Sequence, residues 1–104
     1  MQLFGSQKTL LHHAVLVMLE HAIAKAEEIG QPQCIVIVDV SGELLGEIRM
    51  SGAKYLSRRS AKTKARTAAS IGAPTTTIPE NVRPLIAAAT QDQVTGLPGG
   101  LPII

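Results

Sequence analysis

The run CIVIVDVSGELLGEIRMSGAKYLSRRSAKTKARTAASIGAPTTT, residues 34–77, reads as a hairpin that feeds a basic helix. Cys34 to Val40 is apolar and largely β-branched on both alternations, the pattern of a strand covered on both faces. Ser41-Gly42 supplies a tight turn. Glu43 to Met50 then alternates, with Leu44, Gly46, Ile48 and Met50 on one side and Glu43, Leu45, Glu47 and Arg49 on the other. Ser51-Gly52 breaks this second strand. Ser57 to Ser70 is helical, with Ala61, Ala65, Ala68 and Ala69 forming a small-residue face that lets a helix approach a sheet closely. Gly72 ends the helix and Pro74 bars its continuation. Lys54, Arg58, Arg59, Lys62, Lys64 and Arg66 fall in a window with no carboxylate between Glu47 and Glu80.

Working outward, the spacing predicts a first helix from Ser6, a good N-cap, to about Ile29. Its stripe of Leu11, Ala14, Val15, Met18, Ala22, Ala26 and Ile29 follows three- and four-residue spacing. Leu10, Leu16, Val17, Leu19 and Ile23 widen that stripe and predict packing on more than one surface. Gly30 and Pro32 stop the helix. Downstream, Ala73 to Pro79 is a Thr-rich loop and a short third helix runs from Arg83 or Pro84 to Thr90. Gln91 to Gly100 is turn-rich, and Leu101-Pro102-Ile103-Ile104 reads as entry into another strand. The expected fold is therefore α+β, a small antiparallel sheet with helices packed against it and incomplete at the C-terminus. A hairpin alone is marginal and its edges are unpaired. A second chain, strand exchange in an oligomer, or a chain cut short would each supply the missing pairing.

Composition narrows the functional classes. The chain has 104 residues, one domain's worth. It is 45% hydrophobic but only 2% aromatic, so the core must be aliphatic and base-stacking platforms are absent. That disfavours single-stranded nucleic-acid binding. The net charge is +2, and the block at 54–66 matters more than this total. Cys34 is the single cysteine, which excludes an internal disulfide and a cysteine zinc cluster. No charged segment followed by an apolar one opens the sequence, and no run approaches the ~20 apolar residues of a membrane span. The expectation is a soluble, cytoplasmic protein with no membrane partner.

A combined pattern carries a family resemblance. It comprises Val38-Asp39, Gly42, Arg49-Met50, Gly52-Ala53, Ser57, Ala61, Lys64-Ala65, Thr67-Ala68, Gly72, Pro74-Thr75, and Gly99-Gly100 with Pro102. Ala22, Ala26, Gly30 and Pro32 also fit. In these residues the sequence resembles the GlcG-like family, which includes HbpS-type haem-binding proteins and the C-terminal domain of PduO-type corrinoid adenosyltransferases. The resemblance covers nearly the whole chain. It implies a profilin-like α/β architecture, homo-oligomers from dimers upward, and haem as a cofactor of several members, some of them linked to haem degradation. It singles out Arg49, Ser57, Lys64 and Thr67 as ligand-binding. Two departures stand out. Ser51 occupies a position where the family has Asp. The family also continues beyond the Gly-Gly-x-Pro segment with a strand pair and a final helix, so residues 1–104 are expected to be a single domain lacking those elements.

The candidate chemistry leaves alternatives open. His12, His13 and His21 lie on the first helix, and a haem iron could take His21 or His13 as axial ligand while Arg or Lys pairs the propionates. His12 and His13 cannot chelate one metal, because adjacent helical residues point about 100° apart. His21 is the preferred candidate because it borders Met18 and Ala22. The competing reading is that all three histidines simply flank the apolar stripe. The cationic helix is either a solvated face, an anionic small-molecule site formed with Arg49, or a nucleic-acid surface. Asp39 fits capping of the adjacent turn better than catalysis. Glu43 and Glu47 form no acidic patch, since Leu45 lies between them. No Ser-His-Asp triad, phosphate loop or HExxH pattern is present, and no helix start follows Gly99-Gly100. The leading reading is an oligomeric protein binding haem or another small anion. An enzyme acting on a small carbonyl or carboxylate metabolite is the second, with the cations stabilising developing charge and a His or Asp39 carrying the proton. A structural subunit that needs a partner strand is the third.

Overall fold

The computed structural model describes residues 1–103. Three α-helices, α1 (His12–Glu28), α2 (Tyr55–Ile71) and α3 (Arg83–Ala89), accompany the strands β1 (Cys34–Val38) and β2 (Leu44–Arg49). Single 3₁₀ turns at Thr75–Thr77 and Glu80–Val82 precede α3. The sheet is two-stranded and antiparallel, with Cys34 opposite Arg49 and Ile37 opposite Gly46. This is the expected α+β arrangement.

The hairpin is fixed locally. Asp39 Oδ1 accepts from the Ser41 and Glu43 amides at 2.8 and 3.0 Å, and the Asp39 amide donates to the Glu43 carbonyl at 2.8 Å. Asp39 thus caps the turn, and Gly42 turns the chain at φ +84°. The strand expected to reach Val40 ends at Val38 because Asp39 already belongs to the turn. The register slips between Ile37 and Val38, which leaves Leu45 of β2 without an opposite residue.

α1 ends in a Schellman arrangement. Gly30, at φ +70°, donates to the Glu27 carbonyl and Gln31 donates to the Ala26 carbonyl. Its start differs from expectation. The helix begins at His12, after Leu11, and Ser6 makes no cap. A short helical extension survives only if its apolar face packs on something. Leu3 and Phe4 are 73% and 86% exposed, so nothing holds such a turn in place. Leu16 and Val17 are also exposed, so α1 buries one face rather than two within the protomer.

The sheet lies between helices. α1 covers β2 on the face of Gly46 and Ile48, and α2 covers β1 on the opposite face. The missing side chain at Gly46 sets the first approach: a Cβ there would lie 2.7 Å from Val15 Cγ1. The buried aliphatic core comprises Val15, Ala26, Ile37, Ala53, Ala68 and Ile78. Phe4 and Tyr55, the two aromatic residues, are both exposed.

Leu101 to Ile103 is not a strand. Gly100 instead bonds to Thr75 on both its amide and carbonyl sides, and Pro102 has no amide to offer a ladder. Ile104, the last residue of that expected strand, lies outside the described residues.

Gly46→Val should destabilise the protein by roughly 1–3 kcal/mol, because the β-branched Val15 has no room to yield. Gly5→Ala, in open space, should leave the urea midpoint unchanged. Equal midpoints for both variants would show that the α1–β2 contact is not the close one.

Candidate functional site

α2 begins at Tyr55, two residues before the expected start, with Lys54 as N-cap and no side-chain cap bond. Its small residues Ala61, Ala65, Ala68 and Ala69 are buried or half-buried, and its cations occupy the remaining faces. Among the described residues the single ion pair is Lys25–Glu28 on α1, at 3.4 Å. Among the described residues no carboxylate lies within salt-bridge distance of a cation of α2.

These cations separate into distinct environments. Arg66 is structural: its Nε donates to the Gly42 carbonyl and its Nη1 to Gln93 Oε1, both at 3.2 Å. It ties α2 to the hairpin turn and to the loop after α3. Arg58 stands beside Arg49 across the sheet surface. Together with Cys34, Val36, Glu47 and Ile48 they line a cleft of about 220 Å³. Arg49 Nη1 also donates to the Ala53 carbonyl at 3.4 Å, which orients the guanidinium at the end of β2. Cys34 Sγ lies 3.9 Å from the Lys54 carbonyl on the same side.

Arg49 also reaches a second, more open cleft of about 460 Å³ on the α1 side. Ile23, Ala26, Ile48 and Met50 supply apolar walls there, and Glu27, Gln31 and Ser51 supply polar ones. Ser51, which stands where the resemblance expects Asp, is exposed and offers Arg49 no carboxylate.

Lys64 and Thr67 sit elsewhere, under the segment 95–100. The Lys64 side chain runs beneath Gly99, which has φ +117°, and Gly100 rests so close to the Lys64 carbonyl that no Cβ fits. Thr67 Oγ1 donates to the Thr63 carbonyl at 2.8 Å and accepts from the Thr95 amide at 3.0 Å. Thr75 Oγ1 donates to the Leu97 carbonyl at 2.6 Å and accepts from the Gly100 amide at 3.2 Å. Both threonines are fully buried.

The structure therefore brings Arg49 to Arg58, with Ser57 adjacent in the first turns of α2, and brings Lys64 and Thr67 to the Gly99-Gly100 segment. It does not bring the two groups into one cleft. His13 and His21 are exposed on α1 and line neither cleft, and the His12 and His13 rings lie 4.2 Å apart. No group of three His, Cys, Asp or Glu side chains suited to a metal occurs among the described residues. Two residues were undervalued by sequence reasoning. Arg58 was one of six cations, and only the fold shows it facing Arg49. Thr75 had a signal in the Pro74-Thr75 match but none for its role as a clamp.

The family model for haem-degrading HbpS-like proteins matches residues 10–104. The chain belongs to the HbpS-like family. Two solved structures share its fold. Klebsiella pneumoniae ORFY is 28% identical with a TM-score of 0.93, over 100% of this chain and 75% of that one. A double mutant of Streptomyces reticuli HbpS is 28% identical with a TM-score of 0.84, over 97% of this chain and 69% of that one. No curated protein matches the chain. As in the sequence, no helix is long and apolar enough to cross a membrane among the described residues.

Thr75→Val keeps the shape but leaves the Gly100 amide and Leu97 carbonyl without their partner. The expected cost is about 1–3 kcal/mol, with amide exchange accelerated at residues 95–100 before the rest of the chain. Uniform acceleration across the protein, or none, would show that Thr75 does not clamp this segment.

Proposed function

We propose that this HbpS-like protein is a small cytoplasmic, oligomeric binding protein for haem or another anionic small molecule, held at the Arg49–Arg58 cleft. The observation that carries the reading is that Arg49 and Arg58 line one cleft with no carboxylate of the described residues at salt-bridge distance. Guanidinium is planar and always charged, and it meets a carboxylate through two parallel hydrogen bonds. Cys34, Val36 and Ile48 make part of the wall apolar, which strengthens such a contact. Glu47 on the same wall offsets one of the two positive charges, so a single carboxylate suits the cleft better than a polyanion.

Size limits what one protomer can hold. About 220 Å³ is below the ~300 Å³ at which pockets enclose drug-sized ligands. The residues present fit a carboxylate head, such as one propionate of haem, and do not enclose a macrocycle. An axial ligand from His21 or His13 would have to come from a neighbouring protomer, since neither lines the cleft. When bound, haem supplies its iron chemistry; the guanidinium pair of this chain orients the carboxylate. Of the α2 residues marked by the resemblance, Ser57 neighbours Arg58, whereas Lys64 and Thr67 support the 95–100 segment. Binding is favoured over turnover because no His lines the cleft and Asp39 is committed to two turn amides.

A haemin titration followed by absorbance and size-exclusion tests this reading. Saturable binding with a sharpened Soret band is expected. Arg49→Ala and Arg58→Ala should each weaken it roughly 10- to 100-fold, the value of a charge-assisted hydrogen bond, and His21→Ala should alter the band if it is the axial ligand. Acetate and longer monocarboxylates should compete. An Arg49→Ala/Arg58→Ala double variant that binds haemin and carboxylates as tightly as wild type would sink the assignment of the cleft.

A further inference from the structure

The cleft beside the first turns of α2 has two electrical ends. Cys34 lies opposite Arg49 and Val36 lies opposite Glu47, so these four residues share one face of the hairpin. All four line the cleft, together with Ile48 and with Arg58 of α2. Arg49 and Glu47 are two positions apart on β2, about 6.6–6.8 Å along the strand. The bond from Arg49 to the Ala53 carbonyl holds its guanidinium at the end of β2. Glu47 stands one pleat nearer the hairpin turn. Among the described residues Glu47 forms no ion pair, although two guanidinium groups line the same cleft. Opposite charges are therefore held apart over an apolar floor of Cys34 and Val36.

A plain carboxylate uses one end of this arrangement and offends the other. Bound between Arg49 and Arg58, it brings a second negative charge towards Glu47, and like charges at close range repel. An ammonium group next to the ligand carboxylate reverses that sign. The carboxylate then meets guanidinium through paired hydrogen bonds, and the ammonium donates to Glu47. The Arg49–Glu47 separation is well beyond one charge-assisted contact of about 2.8 Å, so a ligand with both charges has room to bridge it. In an α-amino acid the two charged groups sit on one carbon, the shortest such bridge. Its side chain would lie over Val36, the residue opposite Glu47. The cleft of about 220 Å³ admits only a small one, and Val36 and Cys34 favour an apolar one.

We propose that the Arg49–Arg58 cleft takes a free α-amino acid with a small apolar side chain, and that Glu47 sets this specificity by receiving the ammonium group. The inference rests on the carboxylate-binding reading of the cleft and goes beyond it in ligand class and in the residue that selects. A simple fatty acid lacks the ammonium group, and a simple amine lacks the carboxylate. Each satisfies one end of the cleft alone.

Heteronuclear NMR titration of the isotope-labelled chain tests it with L-valine, isovalerate and isobutylamine. Isovalerate is valine without the amino group, and isobutylamine is valine without the carboxylate. Valine should bind about fivefold more tightly than either, the value of one well-placed but solvent-accessible charge pair. The shifts should centre on the amides of Val36, Glu47 and Arg58. Glu47→Gln should weaken valine by about the same factor and tighten isovalerate, because an attraction is lost in one case and a repulsion in the other. Effects of opposite sign cannot come from a damaged fold. Arg49→Ala should weaken valine and isovalerate alike. Isovalerate binding as tightly as valine to the wild type would overturn the inference and leave the carboxylate reading standing. So would a preference for valine that survives Glu47→Gln. Binding of both acids that is indifferent to Arg49→Ala and Arg58→Ala would overturn the carboxylate reading of the cleft and this inference with it.

Discussion

A threonine hydroxyl shut away from solvent must find a donor role and an acceptor role inside the protein. Thr67 and Thr75 each do so: one partner of Thr67 and both partners of Thr75 lie in the segment 95–100. That requirement fixes where the chain goes after α3. It lays Thr95 to Gly100 along α2, brings Gly100 against the Lys64 carbonyl, and makes glycine obligatory there because a side chain would meet backbone. The Lys64 side chain is held beneath this segment as a result. The segment 95–100 is therefore anchored by two hydroxyl oxygens, which suits a sequence whose buried aliphatic residues are few.

The other half rests on steric economy. Gly46 lets α1 descend onto β2, and the alanines of α2 let that helix descend onto β1. With helices close on both faces, the end of β2 is the place where both surfaces remain accessible, and Arg49 stands there at the margin of two clefts. The guanidinium pair is a consequence of this layering: Arg58 leaves the first turns of α2 on the side that faces the end of β2.

Much of this was legible in residues 34–77, because its determinants are local. Asp39, Gly42 and the alternation of β2 specify a hairpin over a few residues, and Ala spacing followed by Gly72 specifies α2 and its sheet-facing side. The α+β class and the family followed from these. What was not legible depended on contacts remote in sequence. Ser6 has the chemistry of an N-cap, but Leu3 and Phe4 find no surface, so the helix waits until His12. Leu16 and Val17 widen the stripe on paper, yet nothing within the protomer covers them. Leu101-Pro102-Ile103 has the composition of a strand but is diverted when Gly100 pairs with Thr75. In the candidate site, Arg49 and the six cations of the 54–66 block were visible as a set. Their division into a cleft pair, a structural tie at Arg66 and a lysine beneath Gly99 required the fold.

The aliphatic core has a spectroscopic corollary. The chain has no tryptophan and one tyrosine, Tyr55, which is 77% exposed at the first residue of α2, three positions before Arg58. Near-ultraviolet absorbance and intrinsic emission therefore carry almost no information about whether the interior is packed. Their main chromophore stands in solvent at the exposed start of α2, one helical turn before Arg58, so its signal follows the state of that helix end rather than the packing of the interior.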